Sequence, residues 1–81
     1  MLKVYGSDLC KDCLECKALL DNAGVKYAYC SITENLANMK AFLSIREKSP
    51  LFDEAKAEGY IGIPCIIRED GTIILDWQSF G

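Results

Sequence analysis

At 81 residues the chain has room for one hydrophobic core, so a single domain spanning residues 1–81 is expected. Its apolar share of 51% and charged share of 26% are those of a folded globular protein rather than a disordered one. A net charge of -3, with the nine Lys and Arg dispersed along the chain, excludes a footprint for a nucleic-acid backbone, and the absence of histidine excludes His-dependent hydrolysis.

The opening segment Met1-Leu2-Lys3-Val4-Tyr5-Gly6 turns polar too soon for an export signal, and no later run is long enough to cross a membrane. A cytoplasmic protein without a membrane partner is expected. Leu2 to Tyr5 reads as a short buried strand closed by the turn formers Gly6-Ser7-Asp8. Helix formers then run from Lys11 to about Asn22, with Cys13, Cys16, Leu20 and Ala23 recurring at the spacing of one apolar face. Gly24 suits the left-handed position just past the helix end. Lys26 to Ile32 alternates as a second strand, with Ala28, Cys30 and Ile32 on one side and Tyr27, Tyr29 and Ser31 on the other. Strand, helix and strand together make a right-handed βαβ unit with parallel strands.

Thr33 is the expected N-cap of a helix reaching about Lys48, its turns marked by Leu36, Met39, Phe42 or Leu43, and Arg46. Ser49 and Pro50 interrupt it and start a shorter helix, with Asp53 and Glu54 in its first turn and Gly59 at its end. Ile63 to Arg68 reads as a third strand, Asp70-Gly71 as a hairpin turn, and Thr72 to Leu75 as the returning antiparallel strand. The order βαβααββ defines an α/β fold, a four-stranded mixed sheet with helices packed on it. Asp76 to Gly81 is too short for another full helix, and Trp77 and Phe80 are expected to cover an open edge of the core. Asp53, Glu54 and Glu58 read as a solvated helix face.

The chemistry concentrates at Cys10-Lys11-Asp12-Cys13, a Cys-x-x-Cys placed where the first strand meets the first helix. Free N–H groups and the dipole at a helix N-terminus favour an anion, which makes Cys10 the nucleophile. Cys13 lies nearly one turn further, close enough to bond Cys10 while sitting deeper against the core, and is the resolving thiol. Lys11 favours the thiolate; Asp8 and Asp12 oppose it. Cys10 would attack a protein or small-molecule disulfide, Cys13 would release the reduced substrate, and an outside donor would reopen the Cys10–Cys13 bond.

The other cysteines admit further readings. Cys16 extends the pattern to Cys10-x2-Cys13-x2-Cys16, a spacing also used by iron–sulfur ligands, with Cys65 as a fourth sulfur; the alternative is a core cysteine on the apolar helix face. Cys30 and Cys65 are expected to pack inward. Tyr5, at the end of its strand, either packs or lines a substrate groove. A redox-sensing binding module without turnover is a further alternative.

On Cys10-Lys11-Asp12-Cys13 after the first strand, and on Gly62-Ile63-Pro64 at the start of the third, the chain resembles the glutaredoxins of the thioredoxin-like superfamily over nearly its whole length. The resemblance implies a thioredoxin-like, glutaredoxin-type fold whose C-terminal helix is truncated or absent. It also implies a cis Ile63–Pro64 bond facing the redox pair, and substrate contacts at Lys11, Asp12, Ile63 and Pro64, that at Ile63 being through its main chain. Two positions that help hold glutathione in that family differ: Ser7 stands in place of a lysine, and Leu75-Asp76 in place of a Gly-Gly pair. No bound cofactor or metal is therefore expected, and glutathione is a candidate only as external reductant, alongside a reductase. A monomer is expected.

Overall fold

The computed structural model describes residues Met1 to Phe80. Strand β1 (Leu2–Gly6) leads through a short loop into helix α1 (Lys11–Asn22), and β2 (Tyr27–Ser31) follows. Helix α2 (Leu36–Lys48), a 3-10 turn over Pro50–Phe52 and helix α3 (Asp53–Glu58) come next. The hairpin of β3 (Cys65–Ile67) and β4 (Ile73–Ile74) and a 3-10 turn at Trp77–Ser79 end the described chain.

The four strands form one mixed sheet in the order β2-β1-β3-β4. β1 pairs parallel with β2, Val4 opposite Tyr29, and antiparallel with β3, Tyr5 opposite Cys65. A parallel pair needs a crossover, and α1 supplies it. Side chains alternate across the pleat, so each strand feeds two apolar clusters. On one face Tyr5, Ile32, Phe42, Phe52 and Cys65 are buried together, covered by α2 and the Pro50–Phe52 turn. On the other, Val4, Cys16, Leu20 and Ile66 are buried beneath α1, with Trp77 and Phe80 packed against them. The tail thus covers a face of the sheet, where α1 leaves it open. Phe42 meets Phe52 edge-on at 5.8 Å between ring centroids.

Several expectations shift. Helix α2 starts at Leu36, with Asn35 rather than Thr33 as its cap: the Asn38 N–H donates to Asn35 Oδ1 at 3.0 Å. The chain stays extended through Ser31, the Ile32 N–H bonds the Gly6 carbonyl at 2.9 Å, and the Thr33 hydroxyl is held by Ser7 instead. With this later start Leu36 faces solvent, and of Phe42 and Leu43 only Phe42 is buried. Ala23 is the exposed C-cap of α1 rather than part of its apolar face, and Leu19 and Val25 fill in beside Leu20. Pro50 opens a 3-10 turn capped by Ser49, so that α3 proper begins at Asp53; its acidic residues Asp53, Glu54 and Glu58 are exposed. The third and fourth strands are shorter than their apolar runs suggest. The ladder to β1 ends at Cys65, so Ile63 and Pro64 project beyond it.

Ahead of β3, Gly62 (φ +95°) lies flat against Phe52. A Cβ at this position would sit 2.8 Å from the Phe52 ring, so only glycine lets the loop before Pro64 pack this closely on the core. Among the described residues no helix is long and apolar enough to cross a membrane.

Candidate active site

The loop between β1 and α1 is ordered by Ser7, which is buried. Its hydroxyl meets that of Thr33 at 2.8 Å and accepts the Leu9 N–H at 3.1 Å, while its carbonyl accepts the Cys10 N–H at 3.0 Å. Cys10 then takes an extended conformation (φ -104°, ψ 121°) as the N-cap of α1. Its carbonyl accepts the first helical bond, from Leu14, and its sulfur accepts the Cys13 N–H at 3.3 Å. A sulfur in this place stands in for the usual capping oxygen and receives one of the N–H groups that a helix leaves without a partner.

The two thiols differ sharply in setting. Cys10 is partly exposed, and Cys13 is fully buried. Burial first, then the hydrogen bond shared with Cys10, pushes the Cys13 thiol up to about 12. An accessible sulfur at Cys10 beside a buried, protonated thiol at Cys13 makes the pair chemically unequal.

Two further residues close around Cys13. A Cβ on Gly6 would lie 3.0 Å from Cys13 Sγ and 3.1 Å from the Tyr29 hydroxyl, so the absence of a side chain there lets the thiol and the phenol approach the same point. The Tyr29 hydroxyl is buried and makes no hydrogen bond. Burial, followed by the nearby Cys13 and Asp8, raises its pKa. Lys17 lies over the Tyr29 ring, 4.1 Å from its centroid, and forms a 3.1 Å ion pair with Asp8. The carboxylate at Asp8, expected to oppose a thiolate, is thus paired with a cation.

A groove of about 650 Å³ runs past the helix start. Asp12 lines it from α1, Ile63 and Pro64 from the loop before β3, Glu54 and Tyr60 from α3 and its exit, and Asp76 and Trp77 from the tail. The Ile63–Pro64 bond is cis, as the resemblance implies. The structure therefore brings Asp12, Ile63 and Pro64 to one groove; neither Cys10 nor Cys13 lines it, and Asp12, between them in the chain, is the link. Lys11 is exposed and does not line the groove.

Cys16 and Cys65 are both fully buried, on opposite faces of the sheet, and burial pushes the Cys65 thiol up to about 12. Cys30 is half-buried against the Phe42 cluster. Among the described residues no three His, Cys, Asp or Glu side chains gather around a point where a metal ion would sit. Tyr5 is buried against Phe42, 6.0 Å between centroids, and lines no groove. Sequence reasoning passed over Gly6, Lys17 and Tyr29. The signal for Tyr29 was present in the strand alternation, which sets Tyr27 and Tyr29 on the side of β2 that α1 covers.

The chain is similar to an uncharacterized protein of Haemophilus influenzae (strain ATCC 51907 / DSM 11121 / KW20 / Rd), with 37% identity over 73 residues covering 90% of this chain and 85% of that protein. The chain belongs to the same family as that protein. No family model matches the chain, and no solved structure does.

Proposed function

We propose that this protein is a thiol–disulfide oxidoreductase with a thioredoxin-like fold of the glutaredoxin type, acting through the dithiol of Cys10 and Cys13. The observation that carries the reading is the asymmetry of the pair. Cys10 caps a helix with its sulfur on the Cys13 N–H, and Cys13 is buried with its thiol held protonated.

In the first step the Cys10 thiolate attacks one sulfur of a substrate disulfide. A Cys10–substrate bond forms, the substrate S–S bond breaks, and the departing sulfur leaves as a thiolate that takes a proton. In the second, Cys13 loses its proton and displaces the substrate from Cys10, forming the Cys10–Cys13 disulfide and releasing a second substrate thiol. The substrate gains two electrons, and the protein loses two. The Tyr29 hydroxyl is buried near Cys13 with its proton unused, and a small shift of either group would let it donate a hydrogen bond to the thiolate as it forms. Two external thiols, from two glutathiones or a reductase dithiol, then restore the dithiol and leave joined as their own disulfide. A reducing cytoplasm suits a chain with five free cysteines.

The test is equilibration of the anaerobic protein across a series of thiol/disulfide buffers, followed by thiol trapping and peptide mass spectrometry. Cys10 and Cys13 should interconvert as a single two-electron couple that Cys10→Ser abolishes, while Cys16 and Cys65 remain thiols. If that disulfide never forms, the proposal fails.

A further inference from the structure

The groove beside the redox pair carries a charge pattern of its own. Three carboxylates line it, Asp12 at the helix start, Glu54 on α3 and Asp76 on the tail, and no Lys or Arg lines it. Asp12 sits in the first turn of α1 between Cys10 and Cys13 in sequence, so one of the three carboxylates neighbours the pair although neither sulfur lines the groove. Arg46 donates to the Tyr60 and Ile61 carbonyls at 2.8 Å each and does not face into the groove. Apolar side chains line the same groove, Trp77 and Ile63 among them.

Large apolar side chains also stand in solvent around this region. Leu9, next to Cys10, is 87% exposed, and Tyr60 and Ile61 are 50% and 53% exposed. A small disulfide would leave such a rim uncovered, whereas a polypeptide segment would bury it.

Resting on the reading of Cys10 and Cys13 as a redox pair, we infer that the groove selects a cationic polypeptide disulfide, one whose cysteine is flanked by Lys or Arg and an apolar side chain. The Lys or Arg groups answer Asp12, Glu54 and Asp76, and the apolar residue packs between Trp77 and Ile63. Oxidised glutathione, which carries net negative charge, is disfavoured on the same grounds. Charge of one sign lining a cleft raises the local concentration of the opposite sign and steers encounter, an effect that salt screens.

The test is a single-turnover reaction of the reduced full chain with three disulfide-cyclised peptides of equal length, flanked by Lys, Gln or Glu, and with oxidised glutathione. Thiol trapping follows formation of the Cys10–Cys13 bond. Each rate is divided by the rate at which dithiothreitol reduces the same compound, which removes intrinsic differences in disulfide reactivity. The Lys peptide should react about tenfold faster than the Glu peptide at low salt, with oxidised glutathione slowest, and the ratio should shrink as salt rises. The double variant Glu54→Gln/Asp76→Asn should lose most of the ranking. Equal normalised rates, or a faster Glu peptide or glutathione, overturn the inference and leave the redox pair standing. If none of the four compounds oxidises the pair, both the inference and the oxidoreductase reading are overturned.

Discussion

The hydroxyls of Ser7 and Thr33 meet at 2.8 Å, tying the loop that carries Cys10 to the segment that follows β2. Ser7 is buried and also accepts the Leu9 N–H, so its hydroxyl holds two parts of the chain at once. Removing one partner of such a bond costs about 1 kcal/mol. Thr33→Val should destabilise the protein by about that amount in urea unfolding. Ser7→Ala should cost somewhat more, since Leu9 then loses its acceptor too. A Thr33→Val chain as stable as the parent would show that the hydroxyl pair holds nothing.

Cys13 and Cys65 make the fold sensitive to alkali. Both thiols are raised from the ordinary value of 9.0 to about 12. Between these values the unfolded chain has released the protons and the native chain retains them. Fewer protons bound in the unfolded state means stability falls as pH rises. The contribution is fully present below about pH 9 and is lost progressively above it, by about 1.4 kcal/mol per pH unit for each such thiol. Cys65→Ala should be less stable near neutrality, because it leaves a small void, but its loss of stability with pH should be shallower by one proton. Unfolding midpoints measured from about pH 8 to 10.5 read this directly, and parallel curves for the two proteins would contradict it.

Tyr29→Phe separates structure from chemistry. The hydroxyl is buried without an acceptor, so its removal relieves a desolvation penalty of about 1 kcal/mol, and the reduced variant should be as stable as the parent or more so. Meanwhile the variant should resolve a Cys10 mixed disulfide about tenfold more slowly, because Cys13 loses a hydrogen-bond donor worth about that factor. Stopped-flow release of a chromogenic thiol, taken as a function of pH, measures the second effect. An unchanged rate would confine Tyr29 to packing.

Arg46 braces the wall of the groove. Its Nε and Nη2 donate to the carbonyls of Ile61 and Tyr60, a two-pronged grip that an ammonium cannot reproduce. Arg46→Lys keeps the charge and should raise amide hydrogen exchange in residues 59–64 several-fold, with α1 unaffected. Exchange that stays at the parent level would mean the Gly62–Phe52 packing alone holds this segment.

Much of the architecture was legible along the chain. The βαβ opening follows from one apolar helix face between two strand-like runs, the Asp70-Gly71 hairpin from its turn residues, and the proximity of Cys10 and Cys13 from two cysteines at a strand–helix junction. The elements whose ends moved were those with a competing local option. Thr33 is a good cap by type, but its hydroxyl is taken by a serine 26 positions away in sequence. The runs at Ile63 to Arg68 and Thr72 to Leu75 are apolar enough for longer strands, but ladder pairing sets where a strand ends: β3 pairs with β1 over three residues, and β4 with β3 over two.

The sequence by itself determined the order of elements, the cysteine that caps α1 and the one a turn behind it, because these depend on contacts between near neighbours and on periodicity. Only the tertiary structure decided the neighbours of Cys13, the pairing of Asp8 with Lys17, the separation of Cys16 and Cys65 to opposite faces, and the acidic groove. Each of these joins residues that chain spacing leaves unrelated. Asp12, Glu54 and Asp76 come from three elements, and they share one groove only because the sheet order β2-β1-β3-β4 sets β3, with the loop before it, beside the strand that leads into α1.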